Sequence, residues 1–320
     1  MAKIVVTYGV PAKGFSDFLP GHQICIPAPL SGYTTEELLA ILPDADAVLA
    51  CTAFDADMIA AAKQLKLIVC YGAGYDAIDV AAATKAGIMV ANTPDAVTAP
   101  TAELAIALLM GISRRIGELD TMLRTQPTPQ VFGMGKHMAS SLGGQTLGIV
   151  GMGRIGAKVA DFGRFMGMKV LYTARNPKPE RDALGDQRVS LPELMAQSDF
   201  ISLHCPATSE TAGMISREMI ALMKPQACLV NTARGAVMDE TALLDALKEG
   251  HIAGAALDVY PNEPHVNPEL LKLPNVLLTP HCGSNTHQAR YEMARQACLR
   301  IQAVLDGQLP ENLLNPEAIQ

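Results

Sequence analysis

The chain has no Cys-x-x-Cys pair. Its seven cysteines, at 25, 51, 70, 205, 228, 282 and 298, are scattered. An odd count without ligand spacing argues against a disulfide framework and against zinc or any other metal site, and implies reduced thiols in a cytoplasmic compartment. Positive charge is scarce too: 25 Lys and Arg stand against 32 Asp and Glu, a net charge of −7. No nucleic-acid surface is therefore expected, and any anionic cofactor must be held by local arginines and helix N-termini. No run of eighteen apolar residues occurs, so no membrane span is expected. The opening Met-Ala-Lys-Ile-Val-Val-Thr-Tyr lacks the apolar stretch of a leader and reads as a first strand. What is present is ample apolar material, 49 % of residues against 18 % charged, which excludes disorder. A length of 320 residues is too great for one simple core and implies two domains.

The chain is organised around residues 147–175. An apolar run ends in Gly151-Met152-Gly153-Arg154-Ile155-Gly156, an amphipathic segment follows, and a second apolar run comes after it. Strand, tight turn, helix and strand is the context in which Gly-x-Gly-x-x-Gly marks a dinucleotide site. Gly151 permits the turn, Gly153 admits a pyrophosphate to the backbone, and Gly156 lets helix and strand approach. The free amides at the helix N-terminus would receive the phosphates. A glycine turn without a ligand is the bland alternative, and the flanking pattern disfavours it.

Before that stretch, strand and helix patterns alternate. Strands are expected at 4–8, 47–50, 67–71 and 89–92. Helices are expected from the Thr34–Glu37 capping box to Leu42, from Asp55 to Ala62, and over 80–86. A long apolar helix is expected to begin near Pro100 and to run through 102–123. Residues 125–144 read as a loop or arm. Beyond it, six strands are expected at 147–150, 169–172, 200–203, 228–231, 252–257 and 276–279, with helices between most of them, and a closing helix over 286–306. The fold class is thus α/β: a doubly wound parallel sheet of Rossmann type inserted into a smaller α/β domain. The expected boundaries are 1–98 plus 286–320 for the outer, substrate-binding domain and 99–285 for the nucleotide-binding domain. Crossings near 93–98 and 284–285 would act as a hinge, with a ligand cleft between the domains.

Ligands of such a sheet bind where its strands end, so polar residues just past the strands carry the chemistry. Thr232-Ala233-Arg234-Gly235 follows one strand, Asp258-Val259-Tyr260-Pro261-Asn262-Glu263 the next, and Pro280-His281-Cys282-Gly283 the last. They fit hydride transfer to a ketone carbon. The alkoxide formed needs a proton, which His281 can supply, histidine being the side chain that titrates nearest neutrality. Glu263 would favour the imidazolium. Arg234 offers a planar fork to a carboxylate and its neighbouring carbonyl. Gly72-Ala73-Gly74, at a strand end of the other domain, can present amides to the same carboxylate, so that closure would complete the site. A lone histidine is usually structural, and so His287 is read; Cys282 is read as packing. His204-Cys205-Pro206 would shape the cofactor pocket.

With these residues in hand, the chain resembles the D-isomer-specific 2-hydroxyacid dehydrogenases over nearly its whole length. The matching stretches are Ala91-Asn92-Thr93-Pro94-Asp95 with Thr101-Ala102-Glu103-Leu104-Ala105, the turn 151–156, 231–235, Leu257-Asp258-Val259-Tyr260 with Glu263-Pro264, and Thr279-Pro280-His281. The resemblance implies a flavodoxin-like substrate domain built from both termini, a homodimer through the nucleotide domains, and an Arg234–Glu263–His281 catalytic set. Ala73 and Gly74, with Gly72 beside them, would take the substrate carboxylate. Arg154, Ile155, Thr232, Ala233 and Asp258 match cofactor contacts. Thr101, Cys205, Pro206, Thr211, Asn176 and Gly283 are assigned to the same set, along with Arg234 and His281. Family members that reduce glyoxylate, hydroxypyruvate or 2-ketogluconate are the expected kind. Formate dehydrogenases carry Gln where Glu263 stands. The chain has no Trp, so a member that closes its pocket with a partner's indole is a poor guide; Phe132, Met134 or Met138 would substitute. A dinucleotide-sensing corepressor of the same fold is the rival reading; no basic cluster for nuclear partners supports it.

The second strand of the nucleotide domain decides the cofactor. NAD enzymes usually end it in an acid that holds both ribose hydroxyls. Here Ala174 stands there, followed by Arg175 and Asn176, with Lys178 nearby, and no carboxylate occurs over 169–179. NADP(H) is therefore the expected cofactor, with NAD(H) as the alternative.

Overall fold

The computed structural model describes residues 1–10, 15–126 and 133–319. Phe132, expected as a pocket-closing residue, lies outside the described residues. The chain forms two compact units, Met1–Thr98 with Ser284–Gln320, and Ala99–Gly283.

In the first unit the strands are β1 (Lys3–Val6), β2 (Gln23–Cys25), β3 (Ala47–Ala50), β4 (Leu67–Cys70) and β5 (Met89–Asn92). All pairs are parallel, in the order β2-β1-β3-β4-β5. That is the flavodoxin-like order. β3 and β4 are buried along their whole length, as their unbroken apolar runs require in a sheet covered on both faces. Three helices follow strands: α1 (Phe15–Phe18), α2 (Thr35–Ile41) and α3 (Ala56–Ala61); a fourth, α4 (Val80–Lys85), precedes β5. The Thr34–Glu37 capping box is formed in both directions, and Asp55 and Asp79 cap α3 and α4. The closing helix, His287–Leu305, buries Ala294, Ala297, Cys298 and Ile301 against Ile4, Val6, Leu67 and Val69. It completes the core of the unit that began nearly three hundred residues earlier in the chain.

The second unit holds β6 (Thr146–Val150), β7 (Lys169–Thr173), β8 (Gln187–Arg188), β9 (Phe200–Leu203), β10 (Cys228–Asn231), β11 (Gly254–Leu257) and β12 (Val276–Leu278). All are parallel in the order β12-β11-β10-β9-β6-β7-β8. The order reverses between β6 and β9, the switch point at which doubly wound sheets bind ligands. Leu203, Leu229, Leu243 and Leu247 fill one face of the sheet; Leu109, Leu147, Val159, Tyr172 and Val230 fill the other. The helices are α5 (Pro94–Ser113), α6 (Ile116–Thr125), α7 (Arg154–Phe165), α8 (Pro179–Asp182), α9 (Leu191–Gln197), α10 (Arg217–Ala221) and α11 (Glu240–Lys248).

Three expectations need correction. Each sheet has one strand more than expected, seven for six and five for four, because the two-residue β8 and three-residue β2 carry too little apolar pattern. The long helix starts at Pro94, not near Pro100, so Pro100 lies inside α5 and gives up the bond to the Ala96 carbonyl one residue past the unit boundary. It also does not run on to 123. Arg115 takes a left-handed φ of 55° and separates α5 from α6. Arg115 Nε donates to Glu118 Oε2 at 2.8 Å and its Nη1 to the Met138 carbonyl at 2.9 Å, so the break is held by the side chain that makes it. Helix α5, twenty residues long and containing an eighteen-residue window of mean hydropathy 1.5, is long and apolar enough to cross a membrane by composition. Ala105, Leu108 and Leu109 of this helix are buried in the core of the second unit.

Candidate active site

The glycine turn has the shape its sequence requires. Gly151 has φ 98°, and a Cβ there would lie 2.7 Å from the His204 carbonyl carbon and from the Cys205 nitrogen. At Gly156 a Cβ would lie 2.2 Å from the Gly151 carbonyl oxygen, so helix α7 can approach β6 only without one. Gly153 differs: it is the N-cap of α7, no side chain caps the helix, and a Cβ would meet nothing within 4 Å. The first turn of this twelve-residue helix thus has no side-chain cap, and uncapped first-turn amides are groups suited to holding an anion. Exposed Arg154 and half-buried Ile155 open the helix. At the neighbouring strand ends, Thr232 Oγ1 and His204 Nδ1 are buried with no hydrogen-bond partner among the described residues. Orphaned polar atoms beside an uncapped helix start fit a dinucleotide with hydroxyl, phosphate and amide groups.

His204 Nε2 lies 2.8 Å from Ser202 Oγ, and burial holds its pKa down at about 3, so the ring is neutral. Cys205 is buried beside Met214, and burial raises its thiol to about 11. The Thr211 hydroxyl donates to the Pro206 carbonyl at 2.6 Å and accepts from the Thr208 amide at 2.8 Å, so Thr211 shapes this loop.

The residues expected to react come from three adjacent strands. His281 Nδ1 and Glu263 Oε2 are 2.6 Å apart. Glu263 Oε1 accepts from the Tyr260 amide at 2.9 Å, which orients the carboxylate. The Tyr260 hydroxyl reaches the carbonyls of Leu257 and Thr279, joining the ends of β11 and β12, and burial pushes its pKa up to about 12. His281 itself takes a left-handed φ of 52°, a conformation that costs a histidine energy and is held by its surroundings. The holder is Asp258. Its Oδ1 accepts from Thr279 Oγ1 at 2.7 Å and the Cys282 amide at 2.9 Å, and its Oδ2 from the Gly283 amide at 2.9 Å. Gly283 in turn packs against Thr101 of α5. The Cys282 thiol is raised, by burial first and by Asp258 second, which fits packing and not a reactive thiolate.

Arg234 follows β10. The Asn231 side chain ties its turn by accepting from the Ala233 amide and donating to the Arg234 carbonyl, both at 3.0 Å. Arg234 Nη1 donates to the Ala233 carbonyl at 2.8 Å. The planar fork stays half-buried at the strand end.

In the first unit, residues 72–74 follow β4. Their carbonyls are all engaged: Gly72 accepts from the Thr93 amide, Ala73 from Asn92 Nδ2 and Gly74 from the Cys70 thiol. Among the described residues no backbone hydrogen bond is donated by the amides of Ala73 and Gly74, while the Gly72 amide donates to the Cys70 carbonyl. Arg290 lies over the Tyr71 ring, 5.7 Å from its centroid, next to this loop.

At the end of β7, Ala174 is half-buried while Arg175 and Asn176 are exposed. Two neighbours were not read from the sequence. Arg188 of β8 donates through Nη2 to the carbonyls of Ala174 at 2.9 Å and Arg175 at 3.1 Å. Glu210 Oε2 accepts from Arg175 Nη2 at 3.1 Å. They sit 13 and 35 residues from Arg175, and only the sheet order brings them there. Of the expected pocket-closing side chains, Met134 and Met138 are both exposed. His287 is an exposed first residue of the closing helix.

Known proteins match this architecture. The family model for the NAD binding domain of D-isomer specific 2-hydroxyacid dehydrogenases matches residues 106–283. A glyoxylate reductase from Thermococcus litoralis is 43 % identical, over 99 % of this chain and 98 % of that one. The chain belongs to this family. Its members are NAD(P)-dependent oxidoreductases, and so is this protein. Among solved structures, an NADPH-dependent glyoxylate/hydroxypyruvate reductase from Sinorhizobium meliloti, in complex with NADP and malonate, superposes with a TM-score of 0.84 at 26 % identity. It covers 99 % of this chain and 97 % of its own. A D-lactate dehydrogenase from Aquifex aeolicus, complexed with NAD and lactic acid, gives 0.85 at 28 % identity, with 98 % of each chain covered. The family thus includes enzymes crystallised with either nicotinamide dinucleotide.

Proposed function

We propose that this dehydrogenase is an NADPH-preferring reductase that converts small 2-oxo acids, of the glyoxylate, hydroxypyruvate or 2-ketogluconate type, to D-2-hydroxy acids. The observation that carries the reading is the His281–Glu263 pair at 2.6 Å, with the carboxylate itself fixed by the Tyr260 amide. An imidazolium whose Nδ1–H is held by a carboxylate presents its Nε2–H as a proton donor. Identity to the Thermococcus glyoxylate reductase supports the substrate class.

In this reading the dinucleotide is held by the α7 amides, Arg154, Ile155, Thr232, Ala233 and the loop at 205–211, and it supplies the hydride when bound. His281 delivers a proton to the oxygen of the reduced carbonyl, and Glu263 stabilises the imidazolium before that transfer. Arg234 binds the substrate carboxylate and polarises the 2-oxo group with the same planar fork. The amides of Ala73 and Gly74, with Gly72 beside them, form a carboxylate cradle of the first unit. Asp258 does not react; both its oxygens are spent on the turn that carries His281. For the cofactor, Arg175 takes the 2′-phosphate, supported by Ala174 where an acid would otherwise stand. Apolar Ile116 and Leu123 on the surface of α6, with Met138, support a homodimer through the second unit.

The test is a spectrophotometric panel of 2-oxo acids with NADPH and with NADH. Oxidation of NADPH by glyoxylate or hydroxypyruvate is expected, with a kcat/KM at least about tenfold above that with NADH. Preference for NADH would defeat the cofactor half, and no turnover with any 2-oxo acid would favour a dinucleotide-sensing scaffold.

A further inference from the structure

The guanidinium of Arg175 already has an anion beside it. Arg188 ties down the Ala174 and Arg175 carbonyls and so fixes the turn from which Arg175 projects. Glu210 comes from a different loop, after β9, and places Oε2 3.1 Å from Arg175 Nη2. Both side chains are more than 70 % exposed, so the pair is open to exchange with an anion from solution. The loop bearing Glu210 is itself organised by the Thr211 hydroxyl, so the carboxylate is presented and not merely adrift.

We infer that Glu210 sets the degree of cofactor discrimination, by competing with the ribose 2′-phosphate for the Arg175 guanidinium. This rests on the reading of Arg175 as the 2′-phosphate residue. A phosphate with two negative charges outbids a carboxylate for one guanidinium, so the phosphorylated cofactor still binds. It does so by breaking an existing pair and leaving Glu210 near a dianion. The cofactor without the phosphate leaves the pair intact. Arg175 thus creates a preference and Glu210 trims it, which keeps the second cofactor usable. Discrimination here is a difference between a new attraction and a built-in repulsion.

The experiment uses the full chain and two fragments lacking nicotinamide, ADP-ribose and its 2′-phosphate, titrated by calorimetry. Glu210→Gln removes the charge and keeps the shape. The ratio of affinities, 2′-phosphorylated over plain, is expected to rise about two- to fivefold, the range for an exposed ion pair. The NADPH over NADH ratio of kcat/KM should rise in step. In an Arg175→Ala background the same substitution should give at most half of that gain. Weaker binding of plain ADP-ribose by Glu210→Gln would make Glu210 a ribose ligand and overturn the proposal, as would an unchanged ratio. Arg175→Ala separates the two levels. If it leaves 2′-phosphate binding intact, the cofactor reading fails; if it weakens that binding while Glu210→Gln does nothing, only the competition fails.

Discussion

Gly235 lies against the backbone of Tyr260: a Cβ at Gly235 would fall 2.0 Å from the Tyr260 carbonyl carbon and 2.3 Å from the Pro261 nitrogen. The end of β10, with Arg234, is thereby pressed onto the turn that carries Glu263. Gly235→Ala must push the two strand ends apart, because both contacts are backbone and neither can rotate away. Overpacking of this kind costs about 1–3 kcal/mol. The expected result is a Tm lower by several degrees together with a fall in kcat/KM for the 2-oxo acid. A variant with wild-type Tm and turnover would mean that the strand ends are free to separate.

Gly153 offers the opposite case. A Cβ there meets nothing, so Gly153→Ala should fold with at most the small loss, about 1 kcal/mol or less, by which alanine is the poorer N-cap. The methyl would instead stand over the first-turn amides of α7, where the pyrophosphate is expected. Dinucleotide affinity should drop by at least about tenfold while stability falls no further. A fluorescence titration with NADPH and a thermal melt on the same sample decide this. A larger loss of stability with intact binding would reverse the assignment.

The open surroundings of Gly153 were anticipated by the dinucleotide fingerprint, whereas nothing in the sequence marks Gly235 as a close approach of two backbones. Length and alternation made most strands and the parallel, doubly wound class visible: β3 and β4 are unbroken apolar runs, and β9 and β10 are broken only by buried Ser202 and terminal Asn231. The three-residue Gln23-Ile24-Cys25 and the two-residue Gln187-Arg188 carry too little apolar material for periodicity to register. The break at Arg115 has no Gly, Pro or Asn to announce it, because an ion pair with Glu118 holds it. His281 and Glu263 could be anticipated, since each follows its own strand and residues past parallel strands converge. Glu210 could not. A surface carboxylate in a loop looks the same whether or not a distant arginine meets it.

His204 predicts a pH dependence of stability. Burial holds its folded pKa at about 3, against about 6.5 for an unfolded histidine. Its folded form is neutral, so above pH 6.5 neither state carries the extra proton and no penalty arises. As pH falls below 6.5 the unfolded chain binds a proton that the folded chain refuses, and stability declines until pH nears 3. Between pH 6.5 and 4 that loss is at most about 3 kcal/mol. His204→Gln, which can still reach Ser202, should lose correspondingly less over that window in urea titrations. Parallel curves for wild type and variant would show that the ring is solvated when the protein is folded.

Proton delivery is tested at His281 and Glu263 separately. His281→Ala should lower kcat by about 10²–10⁴ while NADPH affinity stays within about twofold, because the dinucleotide is held mainly elsewhere. Glu263→Gln keeps a side chain that can still accept from the Tyr260 amide but removes the charge, and a smaller loss of kcat is expected. A near-normal kcat in His281→Ala would remove histidine from the proton path. A larger loss in Glu263→Gln than in His281→Ala would give the carboxylate a more direct part in the reaction.

Asp258 separates position from chemistry. Its two oxygens accept three donors, from Thr279, Cys282 and Gly283, and these are the bonds that hold His281 at a left-handed φ. Asn in its place has one oxygen and one NH₂ group, so at least one donor of the turn must face another donor. The cost of such an unsatisfied buried group is about 1–3 kcal/mol. If Asp258 acts only through the turn, Asp258→Asn should lower Tm and kcat together. The 2-oxo acid KM should also rise, and the pH profile of kcat should keep its shape, because the proton donor is displaced and not replaced. A normal Tm with a shifted pH profile would instead place the Asp258 carboxylate among the groups that exchange protons with the substrate.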